Sequence, residues 1–354
     1  MPPNVKEAPA QSGVLYEDEA EPDYRTAIAK HDERTSGKSY RELQPILWDR
    51  VAGHLLFNAL SVYAIKLIFT DVKLLTTAWA FLLFLACNLG VTSGVHRLWS
   101  HKAYKAKLPL RILLAAFNTM SWQGSIYQWA IDHRAHHKFT ETDADHVNAR
   151  RGFFFSHVGW LLCKKHPDVI RFGKTIDSSD LLADPVVYYQ KKYYYVFMPF
   201  LWYLIPVAVP MLLWDETHAN AFLVAVALRF TLCLHAIFLV NSAAHMVGSR
   251  PYDKSIAARE NFLVALGIGG EGYHNYHHVF PWDYKSGEFS YYASNYGAVF
   301  IELMAKIGQA THLKSVNRDL VMARCLRTGD GTHPVWGWGD KDMSEEDKRV
   351  TIVS

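Results

Sequence analysis

Four long apolar runs divide an otherwise polar chain. Leu74 to Val95 and Tyr194 to Trp214 carry no charged side chain, whereas 51–69 includes His54 and Lys66, and 219–240 includes Arg229 and His235. About 20 apolar residues cross the roughly 30 Å hydrocarbon layer as a helix. The runs therefore predict four membrane-spanning helices, and the ionisable groups inside two of them are expected to face protein or to snorkel. Asp71-Val72-Lys73 joins the first run to the second, and Asp215 to His218 joins the third to the fourth. Links this short make two antiparallel hairpins, so the N-terminus, the stretch from His96 to about Tyr193 and everything after Val240 share one side. That side collects Arg97, Lys102, Lys105, Lys107, Arg111, Arg134, Lys138, Arg150, Arg151, Lys164 and Lys165. An excess of basic residues marks the cytosolic side.

A fifth apolar stretch, Leu108 to Ala130, is interrupted by Arg111, Asn118, Gln123, Gly124 and Gln128. A fifth crossing would break the parity, so this stretch reads as one amphipathic helix on the cytosolic face. Residues 1–44 hold Glu17, Asp18, Glu19, Glu21 and Asp23 with no sustained apolar period. They read as a mobile cytosolic tail, without the basic start and apolar run of a secretory signal. Residues 45–325 are then the membrane domain and 326–354 a second cytosolic tail. The fold class is all-α and integral to the membrane: four spanning helices in two hairpins under a cytosolic helical cap.

Composition adds three exclusions and one signal. Half of the 354 residues are apolar, which rules out disorder throughout. A net charge of +3, from 37 Lys and Arg against 34 Asp and Glu, does not support a nucleic-acid binder. Cys87, Cys163, Cys233 and Cys325 lie far apart with no Cys-x-x-Cys pair, which suits neither a disulfide framework nor a thiolate zinc site. The signal is histidine: 18 residues, about 5% of the chain and roughly twice the ordinary share.

Eight of them fall in three clusters: His96 with His101, His133-Arg-Ala-His136-His137, and His274-Asn-Tyr-His277-His278. Residues three and four apart share a helix face. His133 is thus expected to meet a single target with both His136 and His137, and His274 likewise with His277 and His278. A separation of five turns away on an α-helix, so His96 and His101 converge only if the second span ends between them. His245, with Asn241 one helical turn before it, is a ninth candidate at the same depth. Imidazole suits zinc, copper, iron and nickel, and one catalytic ion takes about three protein ligands, so eight or more imply two metals. A ferritin-like carboxylate site needs two Glu-x-x-His elements, and only Glu271-Gly-Tyr-His274 is present. A zinc hydrolase motif of the form H-E-x-x-H is lacking. Histidine ligation at a membrane surface favours a redox di-metal centre.

From about Trp48 to Asp342 the chain resembles the membrane-bound acyl-CoA desaturases, in particular their insect branch. The resemblance is carried by the three histidine boxes in this order around two hairpins. Further motifs support it: Arg-Gly-Phe-Phe-Phe-Ser-His157-Val-Gly-Trp160, Asn241-Ser-Ala-Ala-His245, Gly-Glu-Gly-Tyr-His-Asn-Tyr-His-His-Val-Phe-Pro-Trp-Asp and Arg-Thr-Gly-Asp-Gly. It implies two iron ions held by His96, His101, His133, His136, His137, His245, His274, His277 and His278, with Asn241 reaching one iron through a water. His157 is not a ligand in that family. The resemblance also implies removal of two hydrogens from a fatty acyl-CoA by O₂ in the endoplasmic reticulum membrane, with both termini cytosolic. Electrons would come from cytochrome b5 and its reductase. The fused haem motif His-Pro-Gly-Gly is replaced by His166-Pro167-Asp168 and His333-Pro334-Val335, so the donor is expected to be a separate protein.

Asp132, Lys164 and Lys165 fall on positions that contact the nucleotide end in the family, and Arg50 and Arg134 are further candidates near the tunnel mouth. The chain departs from the family at Ile131, at Asp49-Arg50 and at His146-Val147. Phe84, Asn88 and Thr92 stack below His96 at four-residue intervals, where the resemblance puts the closed end of an acyl tunnel, and Phe238 stands beside its bend. Asn88 and Gly173 to Asp177 look more like the insect Δ11 group than the Δ9 group. The expectation is a Δ11-type acyl-CoA desaturase. Alternatives are a hydroxylase or acetylenase on the same metal centre, or a histidine-rich metal transporter.

Overall fold

The computed structural model describes residues 44–288 and 294–333 and positions 346 and 349. The expected N-terminal tail, save its last position, and most of the C-terminal one lie outside the described residues. Four helices are long and apolar enough to cross a membrane: α1 (Trp48–Thr70), α2 (Leu74–Ser100), α5 (Tyr194–Trp214) and α6 (His218–Met246). Between α2 and α5 lie α3 (Leu108–Met120) and α4 (Ile126–Phe139). After α6 come α7 (Phe262–Gly267), α8 (His274–Val279), α9 (Tyr296–Lys306) and α10 (Arg318–Thr328). Strand β1 (Lys105–Ala106) pairs antiparallel with β2 (Ala310–Thr311), Lys105 opposite Thr311.

Helices α1, α2 and α6 meet through small side chains. Ala64 of α1, Ala80 of α2 and Ala225 of α6 are buried with Leu67, Leu223 and Leu228, the close backbone approach that helices make in lipid. Phe69, Leu74, Phe81, Tyr195, Leu212 and Leu232 point outward. An apolar exterior of this extent is what a hydrocarbon solvent requires. At the far ends the two links lock together: Glu216 accepts from the Lys73 amide at 3.0 Å and the Thr76 hydroxyl at 2.7 Å, and Lys73 Nζ donates to the carbonyl of Trp214 at 2.6 Å. The ionisable residues inside the spans divide as their position dictates. Arg229 is buried and donates to the carbonyls of Ala225, Met120 and Trp202 and to Cys87 Sγ, and His235 pairs with His157 and Asn58. Lys66 is exposed one turn from the end of α1.

Three local features differ from the sequence expectation. First, α2 does not end at His96. From Gly90 to Ser100 it continues as a π-helix, with the His101 amide donating to the His96 carbonyl at 3.1 Å. In that wider coil each amide reaches the carbonyl five residues back, which returns residue i+5 toward the face of residue i. Likewise α6 runs past Val240 to Met246 and carries His245. Second, Leu108 to Ala130 is not one helix. Trp122 and Gly124 adopt positive φ (50° and 91°), and Ser125 caps a new helix by accepting from the Gln128 amide. The break re-aims α4 so that its histidines face α2. Third, residues 326–333, assigned to the tail, finish α10 and bond to the cap: Thr328 Oγ1 donates to the Tyr252 carbonyl at 2.7 Å, and Asp330 accepts from the Arg250 amide at 2.6 Å. Helix α3 lies directly against α2, because Gly90 leaves no side chain between them: a Cβ there would sit 2.3 Å from the Asn118 amide nitrogen.

Candidate metal centre

Helix α2 brings His96 and its end His101, α4 brings His133, His136 and His137, α6 brings His245, and α8 brings His274, His277 and His278. Their ring nitrogens fall into two sets. His96, His101, His133, His137 and His277 form one, and His136, His245, His274 and His278 the other; within each, the nitrogens lie within 4.8 Å of one another. The sets cut across the sequence clusters. His136 and His137 diverge, as do His277 and His278, because consecutive residues on a helix point about 100° apart. The i and i+4 members stay together: His133 with His137, and His274 with His278. The expectation that each H-x-x-H-H cluster serves one target is thereby corrected, since each of the two serves both sets, while His96 and His101 serve the first set together.

Individual distances fit ligation. His96–His277 and His245–His274 Nε2 pairs are 2.9 Å apart, His101–His133 2.8 Å, His137–His277 3.1 Å and His274–His278 3.0 Å. Ligands about 2.0–2.1 Å from a common ion at right angles to one another stand about 2.9 Å apart. The nitrogens of His277 and His274 each face two others at this range. A neutral imidazole nitrogen has one proton or one lone pair, so it cannot hydrogen-bond both neighbours in the ordinary way. Lone pairs converging on a cation can. Burial, with mutual repulsion among the rings, holds His101, His133, His137, His274, His277 and His278 well below the usual imidazole value, leaving the neutral form that a metal needs.

Carboxylates fix the opposite ring nitrogens. His136 Nδ1 donates to both oxygens of Asp145 at 3.0 Å, and its buried Nε2 has no hydrogen-bond partner among the described residues. His96 Nδ1 pairs with Glu271 Oε2 at 2.8 Å, and His245 Nδ1 with Glu141 Oε1 at 3.5 Å. A carboxylate behind an imidazole sets its tautomer and aims the other nitrogen at a metal. Burial raises the Glu271 carboxyl, but buried Arg97, 2.8 Å away, and His96 outweigh it and hold it below the ordinary range. Glu271 therefore backs the site, and the two nitrogen sets hold histidines only. Asn241 lies half-buried one helical turn before His245.

The residues expected to meet substrate divide between a cleft and the buried faces of the spanning helices. Lys164 and Lys165 line a polar cleft with Asp143, Asp145, His146, Arg151, Trp160 and other residues. Lys165 Nζ is 2.6 Å from both Asp132 oxygens. Arg50 is exposed and donates to the Leu161 carbonyl at 3.2 Å. Arg134 is not free for a head group: it donates to Asp180 Oδ1 and Oδ2 at 2.8 Å and to the carbonyls of Trp99, Ser100 and Asp177. Phe238 is buried against Trp160, ring centroids 5.9 Å apart. Phe84 packs beside Leu83, Cys87, Met120 and Cys233, and Asn88 is fully buried. His157 stays outside both nitrogen sets, between Ser242 and His235. Sequence reasoning missed Asp145 and Glu141 behind the rings; Arg151 and Trp160, named there only within the basic excess or a motif, line the cleft.

Residues 75–307 match the model of the Fatty acid desaturase family. The chain belongs to the fatty acid desaturase family. An Acyl-CoA Delta-9 desaturase of Acheta domesticus is 50% identical over 100% of this chain and 98% of its own length. An Acyl-CoA Delta12-desaturase of the same species is 49% identical over 99% and 98%, and an Acyl-CoA Delta(11) desaturase of Trichoplusia ni 49% identical over 81% and 82%. This desaturase is thus a multi-pass membrane oxidoreductase whose two histidine sets could each hold a metal ion.

Proposed function

We propose that this desaturase inserts a double bond into a saturated fatty acyl-CoA, using O₂ and electrons from cytochrome b5 and its reductase. One acyl CH₂–CH₂ unit, one O₂, two electrons and two protons give CH=CH and two waters. Two iron ions, bound by the nine histidines with Asn241 acting through a water, supply the oxidising power that an unactivated C–H bond demands. The observation that carries the reading is the continuity of cleft and centre. Asp145 lines the cleft and grips His136, while Trp160 lines the same cleft and touches Phe238 on the apolar side. On this reading the anionic head of the substrate lies at the cleft and its apolar tail on the Phe238 side of Trp160. Lys164, Lys165 and Arg151 take the phosphates, and Asp132 orients Lys165. The chain passes Phe238 and runs down α2 toward Phe84 and Asn88, holding one carbon pair near the histidines.

The basic side carries both termini and faces the cytosol of the endoplasmic reticulum, where a soluble haem domain can reach the centre. Relatives acting at Δ9, Δ11 and Δ12 share similar identity with this chain, so bond position rests on the few residues along the acyl path. Asn88 and Phe84 favour Δ11 over Δ9. The test is fatty-acid profiling of a desaturase-deficient yeast expressing this chain, with double bonds located by derivatisation and mass spectrometry. A new Δ11 mono-unsaturated acid is expected. A Δ9 or Δ12 product overturns the regiochemistry alone, and a product gaining one oxygen replaces desaturation by hydroxylation.

A further inference from the structure

Helix α7 has two unlike faces. Val264, Ala265 and the following Ile268 are buried, and Ala236, Ile237, Val240 and Ala243 of α6 pack against the cluster that Val264 and Ile268 form with Ala244. Phe262, Leu263 and Leu266 turn the other way and are 57%, 78% and 48% exposed. Leu266 follows the other two by four and three residues, so all three share one helix face. No polar or charged side chain occurs from Phe262 to Ile268.

An outward apolar patch of this kind marks a contact surface, and its position identifies the partner. Ile237 lies inside the apolar run of α6, roughly 14 Å before Met246 by the α-helical rise. Helix α7 therefore lies beside the span and not beyond its end. Exposed Leu232 and Leu239 run along α6 next to the face that meets α7, within about 60° of Ala236 around the helix. At the top of that stripe Val247 is also exposed, and its carbonyl accepts from Asn261 Nδ2, at the start of α7, at 3.1 Å. The lipid-facing surface of α6 thus continues onto α7.

We propose that α7 docks in the bilayer, in the leaflet on the side of the metal centre, and that this contact holds the third histidine cluster in place. Crossing the membrane takes about 20 residues, so a segment this short lies in the plane of the leaflet with its apolar face among the acyl chains. Its inner side is fastened to the segment that leads into α8. The Asn261 amide donates to the Gly272 carbonyl at 2.7 Å, and the Gly270 amide to the Ala265 carbonyl at 3.0 Å. Gly272 permits this approach, because a Cβ there would sit 2.1 Å from the Ala265 amide nitrogen. Glu271, which backs His96, and His274 flank Gly272. The inference needs the spanning helices and the histidine sets, and is independent of which substrate they serve.

The test places a fluorophore on the exposed face. Full-length Leu263→Cys is labelled with an environment-sensitive dye and reconstituted in phosphatidylcholine nanodiscs; the unmodified protein, labelled alike, gives the signal of the native cysteines to be subtracted. Lipids carrying a nitroxide near the head or near the end of the acyl chain probe depth, and aqueous iodide probes water. Quenching by the shallow nitroxide with protection from iodide is expected. Quenching by iodide and not by lipid overturns the docking. Protection from both overturns it too, and assigns the face to a second copy of the chain. Metal content reads the coupling to the centre. Phe262→Ser with Leu263→Ser removes the outer face and keeps the buried one, and in nanodiscs it should lose metal on dialysis that the unmodified protein retains. Leu263→Trp, which keeps an interfacial contact, should retain it. Metal held equally by the double serine variant overturns the coupling, and a double variant that fails to accumulate leaves the docking to be decided by the labelled protein.

Discussion

Asp145 grips His136 with both carboxylate oxygens at 3.0 Å. It also accepts from the backbone amides of Glu141 and Val147 at 3.0 and 3.1 Å. The carboxylate is therefore held by the loop that follows α4, and His136 is aimed by that loop as much as by its own helix. Asp145→Asn keeps the shape but removes the charge that favours the Nδ1–H tautomer. Affinity at the four-histidine set should fall by about 10–100-fold, with the five-histidine set retained. Metal analysis after dialysis checks this: near one ion per chain is expected, against two for the unmodified protein. Two ions retained would show that the backbone amides hold Asp145, and the helix holds His136, without help from the charge.

Glu271 acts on the other set and carries more of the fold. It joins His96 Nδ1 to Arg97, whose remaining bonds go to the carbonyls of Gly269 and Tyr284 and to Asn295. Removing one partner of a buried charge pair costs about 3–5 kcal/mol. Glu271→Gln should therefore lower stability as well as metal occupancy at the five-histidine set. Denaturant unfolding in detergent micelles, run with and without chelator, separates the effects. A loss confined to the metal-loaded form would assign Glu271 to the centre alone.

Much of this architecture is legible in the chain because apolar run length and histidine spacing are local properties. Leu74 to Val95 cannot be anything but buried in lipid or protein, and two H-x-x-H-H patterns declare a metal chemistry. The division of ligands between two sets was not legible. It depends on how α4 and α8 face each other, and there the hundred-degree step between His136 and His137 decides the outcome. The π-helical end of α2 was hidden for a related reason: Gly90 to Ser100 is rich in Gly, Val, Ser and Thr and carries no period that separates a π-helix from an α-helix. The carboxylates behind the rings come from loops, where sequence carries no period to read.

Lys165 tests the head-group cleft. Its ammonium is held 2.6 Å from both Asp132 oxygens and stands in the cleft lining. Lys165→Met keeps the aliphatic stem and deletes the charge, so KM for acyl-CoA should rise about tenfold, the worth of one hydrogen bond to a charged group. Lys165 belongs to neither histidine set, so on the proposed reading kcat should hold. Steady-state oxygen consumption at saturating electron donor gives both constants. A fall in kcat with KM unchanged would place the nucleotide elsewhere.

The lowered imidazoles also set a pH dependence whose sign can be fixed. In the unfolded chain His101, His133, His137, His274, His277 and His278 titrate near 6.5, whereas in the folded metal-free protein burial and neighbouring rings hold them well below it. Below pH 6.5 the unfolded state takes up more protons than the folded one. Stability of the metal-free protein is thus present above pH 6.5 and lost as pH falls from there toward the lowered folded values. Each such histidine contributes up to about 1.4 kcal/mol per pH unit in that window. Bound metal excludes the proton from the same lone pair, so loading should delay the loss to lower pH. The measurement is thermal unfolding of chelated and metal-loaded protein at several pH values between 7.5 and 5. A chelated protein as stable at the acid end as at neutral pH would mean that the rings are already protonated in the fold, and the neutral ligand sets described above would not exist.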